Sequence, residues 1–220
     1  MDPGTLIAAF AVGILGGIHC LGMCGGIVGA ISLSHAGSRS PAWPRLLAYN
    51  LGRMSSYVLA GSLAGLIGAT LLGGLPQGQR ILEILAALFL ILLGLYLAGW
   101  WPILARLEQL GGHAWRWIEP LGRRFIPVRH PGQAFVVGGV WGWLPCGLVY
   151  SVLVWTLSAG GATNGALLMM AFALGTLPNL MLMGLFAARL ARFARNERIR
   201  QAAGALLIGY GIWRLLALIF

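Results

Sequence analysis

Two cysteines in similar surroundings are the residues of this chain best suited to do chemistry. Cys24 lies in the glycine-rich stretch 16–26, and Cys146 lies 122 residues further on, between Pro145 and Gly147. Each is surrounded by uncharged, mostly apolar residues. A cysteine flanked by glycine or proline in such a segment indicates thiol–disulfide exchange or soft-metal binding, whereas a single membrane cysteine is more often a small packing residue. The repeated setting favours chemistry over packing.

A second arrangement of ligand-type side chains surrounds Cys24. If this segment is a helix, His19 lies one turn before Met23, and Cys20 lies one turn before Cys24. Thiolate and thioether ligands favour Cu(I), and imidazole also suits copper. The pattern therefore predicts a copper site or conduit as the alternative to thiol exchange. The other interpretation is purely structural, with His19 in a hydrogen bond between helices and Met23 as a packing residue. Three roles stay open for Cys20: ligand, resolving thiol and packing residue.

The composition is that of an integral membrane protein. Hydrophobic residues make up 59% and charged residues 9% of the chain, whereas charged residues are about 25% of a typical soluble domain. Long uncharged runs alternate with arginine-rich links. Because about 20 apolar residues span a bilayer as a helix, these runs predict an all-α protein with six transmembrane helices. The expected helices cover about residues 5–33, 47–74, 80–101, 132–158, 164–188 and 201–220.

Arginines are concentrated in alternate links, and this distribution predicts the topology. By the positive-inside rule these links face the cytoplasm, which places both termini outside a bacterial inner (plasma) membrane. The net charge of +10 then reflects topology and contact with the lipid bilayer, because no basic polar surface for nucleic acid is visible. The links contain Arg39 and Arg45, then Arg106, Arg116, Arg123, Arg124 and Arg129, and finally Arg189, Arg192, Arg195, Arg198 and Arg200.

The second half of the chain repeats features of the first. A unit of three helices crosses the membrane an odd number of times, so a second copy enters from the opposite side. The sequence therefore predicts two inverted three-helix repeats, 1–101 and 132–220, joined by a cytoplasmic interfacial linker, 102–131. Cys24 and Cys146 would then be symmetry mates near the bilayer midplane. The matches are Tyr49, Gly52 and Gly61 with Phe172, Gly175 and Gly184 at an offset of 123, and Gly94-Leu95-Tyr96 with Gly211-Ile212-Trp213 at an offset of 117.

Glycine and proline around both cysteines predict interrupted helices. Backbone that is freed at membrane depth is tolerated only where protein or a water-filled cavity covers it, so a partner thiol or an ion would reach the cysteines there. In the fifth helix, Pro178 is expected to break the helix and Asn179 to line the cavity. Arg53 in the second helix is expected to extend to the membrane interface. The helix-break or cavity residues are Gly22, Gly25, Gly26, Pro145, Gly147, Pro178 and Asn179.

Two motifs carry a resemblance to a known family. His-Cys-Leu-Gly-Met-Cys-Gly-Gly at 19–26 and Trp-Gly-Trp-Leu-Pro-Cys-Gly-Leu-Val-Tyr-Ser at 141–151 resemble the UreH-like transmembrane domain proteins, which are relatives of CcdA and of the membrane domain of DsbD and are often labelled sulfite exporters of the TauE/SafE type. The resemblance covers essentially the whole chain. It implies a six-helix fold in which Cys24 and Cys146 carry reducing equivalents from cytoplasmic thioredoxin to extracytoplasmic thiol proteins, often in cytochrome maturation. The chain departs from the DsbD and CcdA pattern at Met23, which stands where Pro145 stands in the second motif.

These observations favour a membrane thiol–disulfide electron relay that supports extracytoplasmic protein, cytochrome or oxidase maturation. Such a relay needs no cofactor and would make the chain a thiol–disulfide oxidoreductase. The alternative is a transporter or chaperone for a soft metal, copper first, with an extracytoplasmic metalloprotein as partner. A small-anion exporter is a third hypothesis, and it leaves the cysteines unexplained. The sequence holds no phosphate-binding loop, no zinc-protease motif and no paired carboxylates inside an apolar run.

Overall fold

A computed structural model describes residues 2–33, 43–71, 77–101, 112, 115–122, 124–144, 146–194 and 197–219. Of residues 17–19, 21–27, 30–33, 79, 184–194, 200 and 219 it describes the backbone alone. The described part of the chain is helical and holds no strand. The expected all-α class is therefore confirmed.

Seven helices make up most of the described residues. A helix suits an apolar chain because it satisfies every backbone N–H and C=O within one segment, where lipid offers no hydrogen-bond partner. Residues 115–122 are also helical and lie between the third and fourth of these. The seven are α1 Pro3–Leu33, α2 Trp43–Leu71, α3 Gly78–Ala98, α4 Pro131–Trp141, α5 Gly147–Leu157, α6 Ala162–Ala194 and α7 Glu197–Ile219.

Five of the six expected helices correspond to α1, α2, α3, α6 and α7, and the fourth is divided. The expected helix 132–158 is two helices, α4 and α5, separated by residues 142–146. Helices also extend into the expected links, since Arg45 lies in α2 and Arg189 and Arg192 lie in α6. By length and apolar composition, four segments within the described residues can cross a membrane: Trp43–Leu71, Arg80–Ala98, Ala162–Met183 and Glu197–Leu218. Pro3–Gly16 and Gly147–Leu157 are shorter apolar helices.

Two expected interruptions are absent. α1 is one uninterrupted helix through Gly22, Gly25 and Gly26, so the expectation of a break there is wrong. Glycine permits a break but does not impose one, and in an apolar setting unpaired backbone groups are costly. α6 likewise does not end at Pro178, which lies inside the helix. A proline removes one N–H donor, and the remaining hydrogen bonds of this 33-residue helix continue on both sides.

α2 shows how one helix divides between protein and surroundings. Its buried residues recur every three or four positions, as the helical period requires, and include Tyr49, Arg53, Tyr57 and Gly61. Leucines on the other side are about half exposed: Leu51, Leu59, Leu63 and Leu66 at 45%, 54%, 47% and 49%. An apolar face that no other helix of the described residues covers is suited to contact with lipid.

The main helix contacts join the first half of the chain to the second. α1 packs on α6, α2 packs on α4 and α6, and α3 packs on α7. α2 runs parallel to α4 and α5, because Gly52 packs against Phe135 and, further along both, Gly68 packs against Leu157. At each of these glycines a Cβ would overlap the neighbouring backbone carbonyl, so a glycine is required for the approach.

α2 and α6 run in opposite directions and approach closely at glycines. Gly61 packs against Gly165, and one turn further along α2, Gly65 packs against Gly161. The glycine pairs bring the two backbones together where larger side chains would separate them. Gly161 ends the turn between α5 and α6 and has a φ of 156°, a backbone conformation that residues other than glycine rarely adopt.

α3 and α7 form a second antiparallel pair. Gly94 and Gly204 face each other, and a Cβ on either would lie 2.7 Å or less from the carbonyl oxygen of the other. At one end of the pair, the guanidinium of Arg80 donates a hydrogen bond of 2.7 Å to the carbonyl of Leu218, in the last turn of α7. The Arg80 side chain therefore satisfies a carbonyl that the end of α7 leaves without a helical partner.

The helix ends converge at one end of the bundle. The starts of α1, α3 and α6 and the ends of α5 and α7 contribute residues to a single pocket there. α1, α3 and α6 therefore run away from this end, and α5 and α7 run towards it.

Candidate functional site

The interruption between α4 and α5 ends at Cys146. After Trp141 the chain tightens into shorter turns, in which Trp143 N–H donates to the carbonyl of Val140 and Leu144 N–H donates to that of Trp141, each at 3.1 Å. Cys146 then adopts an extended backbone with φ −117° and ψ 139° and is the N-cap of α5. The divided fourth helix thus places the predicted reactive cysteine at a helix N-terminus.

Position at a helix N-terminus has a chemical consequence for Cys146. The first N–H groups of α5 have no helical acceptor, and together with the helix dipole they favour a negative charge such as a thiolate. The residue is 7% exposed and belongs to the main hydrophobic core. Gly147, predicted to lie beside the break, is the first residue of α5 and is buried. Pro145 lies outside the described residues.

α1 passes close to the start of α5. Gly16 lies against the side chain of Leu148, and a Cβ on Gly16 would collide with both Leu148 methyl groups. Cys20 lies one turn further along α1, is 4% exposed and belongs to the same core as Cys146. The backbone of Cys24 lies one more turn along, about 6 Å beyond Cys20 at the usual helical rise.

The remaining predicted ligands also lie in α1. His19 and Met23 are one turn apart on a continuous helix, as are Cys20 and Cys24. Apart from Cys20, the side chains of this set lie outside the described part of the structure. Among the described side chains, no group of three or more His, Cys, Asp or Glu could hold a metal ion. Convergence of the copper ligands therefore stays a prediction.

Asn179 connects α6 to α1. Its side-chain amide donates a hydrogen bond of 2.9 Å to the carbonyl of Ile14. The sequence predicted that Asn179 lines a cavity beside Pro178, and the structure gives its amide this interhelical contact.

Ser56 makes the corresponding connection between α2 and α4, and sequence reasoning missed it. Its hydroxyl donates a hydrogen bond of 2.7 Å to the carbonyl of Gly139. This carbonyl lies in the last turn of α4, where the helix no longer supplies a donor. Gly142, the first residue after α4, also packs against Ser56. Ser56 therefore supports the end of α4 directly before the interruption.

Arg53 is a buried cation on the same part of α2. It is 3% exposed, so the expectation that it extends to the membrane interface is wrong. Its guanidinium donates a hydrogen bond of 2.6 Å to the hydroxyl of Tyr57 and lies 5.3 and 5.9 Å from the ring centroids of Tyr57 and Tyr49. Tyrosines one turn before and one turn after Arg53 thus hold the charge inside the protein by cation–π contact. The spacing Tyr49, Arg53, Tyr57 was the available sequence signal.

Arg45 is also buried. The sequence placed it in a link, but it lies in the first turn of α2 and is 5% exposed. Its Nε and one terminal nitrogen have no hydrogen-bond partner within the residues that the structure describes.

The far side of α4 is covered by the helical segment 115–122. The rings of Trp115 and Trp141 meet edge to face, with centroids 5.6 Å apart, and Gly122 lies against the Trp141 ring. Trp117, in contrast, is 85% exposed. Part of the predicted interfacial linker therefore rests on the end of α4 and presents a large apolar ring outwards.

Comparison with known proteins identifies a family. Residues 8–213 match the family described as cytochrome c biogenesis protein transmembrane region, a range that includes both cysteine motifs and the break between α4 and α5. No significant match was found to a curated protein or to a solved structure. The resemblance seen in the two motifs is confirmed by the family match.

Proposed function

Because this multi-pass membrane protein belongs to the family of cytochrome c biogenesis protein transmembrane regions, we propose that it is a membrane thiol–disulfide electron relay. Cys24 and Cys146 are the relay pair, and the product is a reduced extracytoplasmic protein that takes part in cytochrome or oxidase maturation. The observation that carries this proposal is Cys146, which lies at the N-terminus of α5, inside an interrupted helix of the buried core.

The relay step is a pair of thiol–disulfide exchanges. A thiolate of a reduced cytoplasmic thioredoxin attacks the Cys24–Cys146 disulfide, which breaks as a mixed disulfide forms and the other cysteine leaves as a thiolate. The second thioredoxin thiol then attacks the mixed disulfide, so that thioredoxin is oxidised and the relay receives two electrons and, after protonation, two protons. The same exchange in reverse reduces a disulfide of the extracytoplasmic partner. No cofactor is needed.

The two cysteines are reached by paths of different length and construction. From Gly13 to Cys24 there are eleven helical residues, a rise of roughly 16 Å at 1.5 Å per residue. From Gly138 to Cys146 there are eight residues, and those after Trp141 form tight turns, in which Trp143, Leu144 and Cys146 each donate an N–H to a carbonyl two or three residues earlier. Cys24 therefore lies on a regular helical path, and Cys146 lies at the end of a compact turn.

The proposed architecture is six crossings in two inverted three-helix repeats. Gly13 of α1 packs against the carbonyl of Phe172, and Gly138 of α4 packs against the carbonyl of Tyr49. Phe172 of α6 follows Tyr49 of α2 by 123 residues, the offset already seen between these two helices, and Gly138 of α4 follows Gly13 of α1 by 125. The two contacts are therefore equivalent when the two halves of the chain are exchanged. A pseudo-two-fold relation between the halves explains why both are present.

Two hydrogen bonds are also equivalent when the two halves of the chain are exchanged. Asn179 donates to Ile14, and Ser56 donates to Gly139. Asn179 follows Ser56 by 123 residues, and Gly139 follows Ile14 by 125. Because serine and asparagine differ in length and shape, this equivalence is a property of the backbone arrangement.

The contacts between α3 and α7 support the offset of 117 residues that the sequence shows between these two helices. A Cβ on Gly94 would lie 2.7 Å from the carbonyl oxygen of Gly204, and a Cβ on Gly211 would lie 3.1 Å from that of Ala87. Gly211 follows Gly94, and Gly204 follows Ala87, by 117 residues. The directions of α1, α3, α5, α6 and α7 at one pocket also agree with six alternating crossings.

In this architecture the arginine-rich links face the cytoplasm, and both termini lie outside a bacterial inner membrane. The linker 102–131 then lies on the cytoplasmic surface, where the exposed Trp117 ring enters the interfacial layer of the bilayer. Thioredoxin approaches from this side and the extracytoplasmic partner from the other.

The test is thiol trapping of the full chain in native membranes. Oxidised membranes are quenched with acid, alkylated and digested, and a Cys24–Cys146 disulfide is sought by mass spectrometry before and after reduced thioredoxin is added. We expect a disulfide that disappears on reduction. Cys146→Ser should reduce electron transfer across sealed vesicles to background, whereas the control Cys20→Ser should retain it.

Full electron transfer by Cys146→Ser would overturn the relay, as would free thiols at both positions under oxidising conditions. A soft-metal site is then the second candidate, with copper first. The uninterrupted helix α1 favours it, because it preserves the one-turn spacing of His19 with Met23 and of Cys20 with Cys24. Copper stoichiometry should in that case fall in Cys24→Ser, and an unchanged stoichiometry would remove this candidate.

A further inference from the structure

A small pocket lies at the end of the bundle where α1, α3 and α6 begin. It has a volume of about 160 Å³ and receives side chains from both halves of the chain. We call it the end pocket. It is lined by Asp2, Thr5, Glu83, Trp155, Ser158, Ala159, Leu168 and Arg214.

The end pocket contains both signs of charge. Asp2 precedes the first residue of α1, Glu83 lies in α3 and Arg214 lies in α7. Within the described residues no ion pair joins them, although all three line the same cavity. Opposite charges that share a cavity without pairing are suited to a ligand that carries both complementary charges.

The exposed lining of the end pocket is more polar than apolar, and its large apolar members are almost completely buried. Trp155 is 2% exposed and Leu168 is 1% exposed, and the Trp155 ring lies 6.2 Å from that of Tyr210. Thr5 and Ser158 add two hydroxyl groups to the lining.

The volume of the end pocket suits a small ligand. About 160 Å³ is well above the roughly 10–15 Å³ that one buried water needs on the same scale, so the cavity has room for a small α-amino acid.

We propose that the end pocket binds a small zwitterion of the α-amino acid type. Asp2 and Glu83 receive the ammonium group, and the guanidinium of Arg214 receives the carboxylate. Arginine suits a carboxylate because its planar group donates two parallel hydrogen bonds. No cysteine is among the described residues that line the pocket, so this binding goes beyond the electron relay and does not depend on it.

The experiment measures binding to the full chain in lipid nanodiscs by isothermal titration calorimetry. The probes are L-serine, N-acetyl-L-serine, which lacks the ammonium group, and ethanolamine, which lacks the carboxylate. We expect L-serine to bind and each analogue to bind at least about tenfold more weakly, since a hydrogen bond to a charged group contributes that much or more.

Variants separate the two charges. Arg214→Gln should weaken the binding of L-serine by about tenfold or more and remove the preference for L-serine over ethanolamine. Glu83→Gln should remove the preference for L-serine over N-acetyl-L-serine. Arg214→Lys, which keeps the charge, should bind L-serine with intermediate affinity and verifies folding. Arg80→Gln is the matched control, because Arg80 lies at the same end of the bundle but does not line the pocket.

Three results would overturn the proposal: no heat from L-serine at millimolar concentration, equal binding of L-serine and N-acetyl-L-serine, or equal losses in Arg214→Gln and Arg80→Gln. Cys146→Ser should bind L-serine like the unaltered protein. Failure of the relay and failure of this site are therefore observed separately.

Discussion

α1 and the pair α4–α5 begin alike and continue differently. Each uses a glycine, Gly13 or Gly138, to approach the carbonyl of an aromatic residue in a helix of the other half. α1 then remains helical to Leu33, whereas α4 ends at Trp141 and the helical path resumes at Gly147. The difference teaches that a close glycine contact does not determine the conformation of the residues beyond it. We expect the residue directly before each cysteine to decide whether the helix continues.

The largest effect should come from giving α1 the residue that precedes Cys146. Met23→Pro places a proline inside a continuous helix, where it removes a hydrogen bond and clashes with the preceding turn, and should lower the free energy of unfolding by about 3 kcal/mol or more. Unfolding in mixed detergent micelles measures the change, with Met23→Ala as control. If the proline variant is as stable as the alanine variant, the two halves do not differ in their need for an unbroken helix.

The shared glycine contacts should be equally sensitive in both halves. Gly13→Ala and Gly138→Ala each place a methyl group against a backbone carbonyl, and overpacking of this kind costs about 1–3 kcal/mol. Gly29→Ala in α1 and Gly139→Ala in α4 are matched controls, because among the described residues no atom lies closer than 3.9 Å to a Cβ at either position. The free energy of unfolding should fall only in the first pair. Similar values for Gly138→Ala and Gly139→Ala would contradict the packing argument.

The smallest effect distinguishes the two interhelical hydrogen bonds. Ser56→Ala leaves the carbonyl of Gly139 without a donor at the end of α4, which should cost about 1–2 kcal/mol. Asn179→Ala removes a donor from Ile14, whose carbonyl lies inside a continuous helix, and should cost about 0.5 kcal/mol. The same unfolding measurement compares them. A larger loss for Asn179→Ala would reverse the proposed difference between the halves.

The sequence predicted most of the helices because uncharged apolar runs of sufficient length have few alternatives to a helix in a membrane. It also located an interruption at Cys146. It failed at Gly22, Gly25 and Gly26 because glycine content alone does not reveal whether a helix is supported by its neighbours. At Pro178 it failed because the loss of one donor in a long helix does not end that helix.

Charged residues were the other source of error. Arg53 was expected at the membrane interface because an isolated cation is costly inside a bilayer. The structure instead holds it between Tyr49 and Tyr57, a contact that depends on three residues at helical spacing. Asp2, Glu83 and Arg214 are far apart in the sequence, and only the packing of α1, α3 and α7 brings them to one pocket. Contacts between distant segments cannot be read from local patterns.

The dominance of contacts between the two halves has a consequence for how the protein is made. α1, α2 and α3 bury their glycine faces mainly against helices that come after His130 in the chain. A ribosome adds about 5–20 residues per second, so the first three helices wait in the membrane for roughly ten seconds before their partners emerge. During that interval they are exposed to the proteases and chaperones of membrane quality control. Each half synthesised alone should be degraded, and the two halves synthesised together should protect each other.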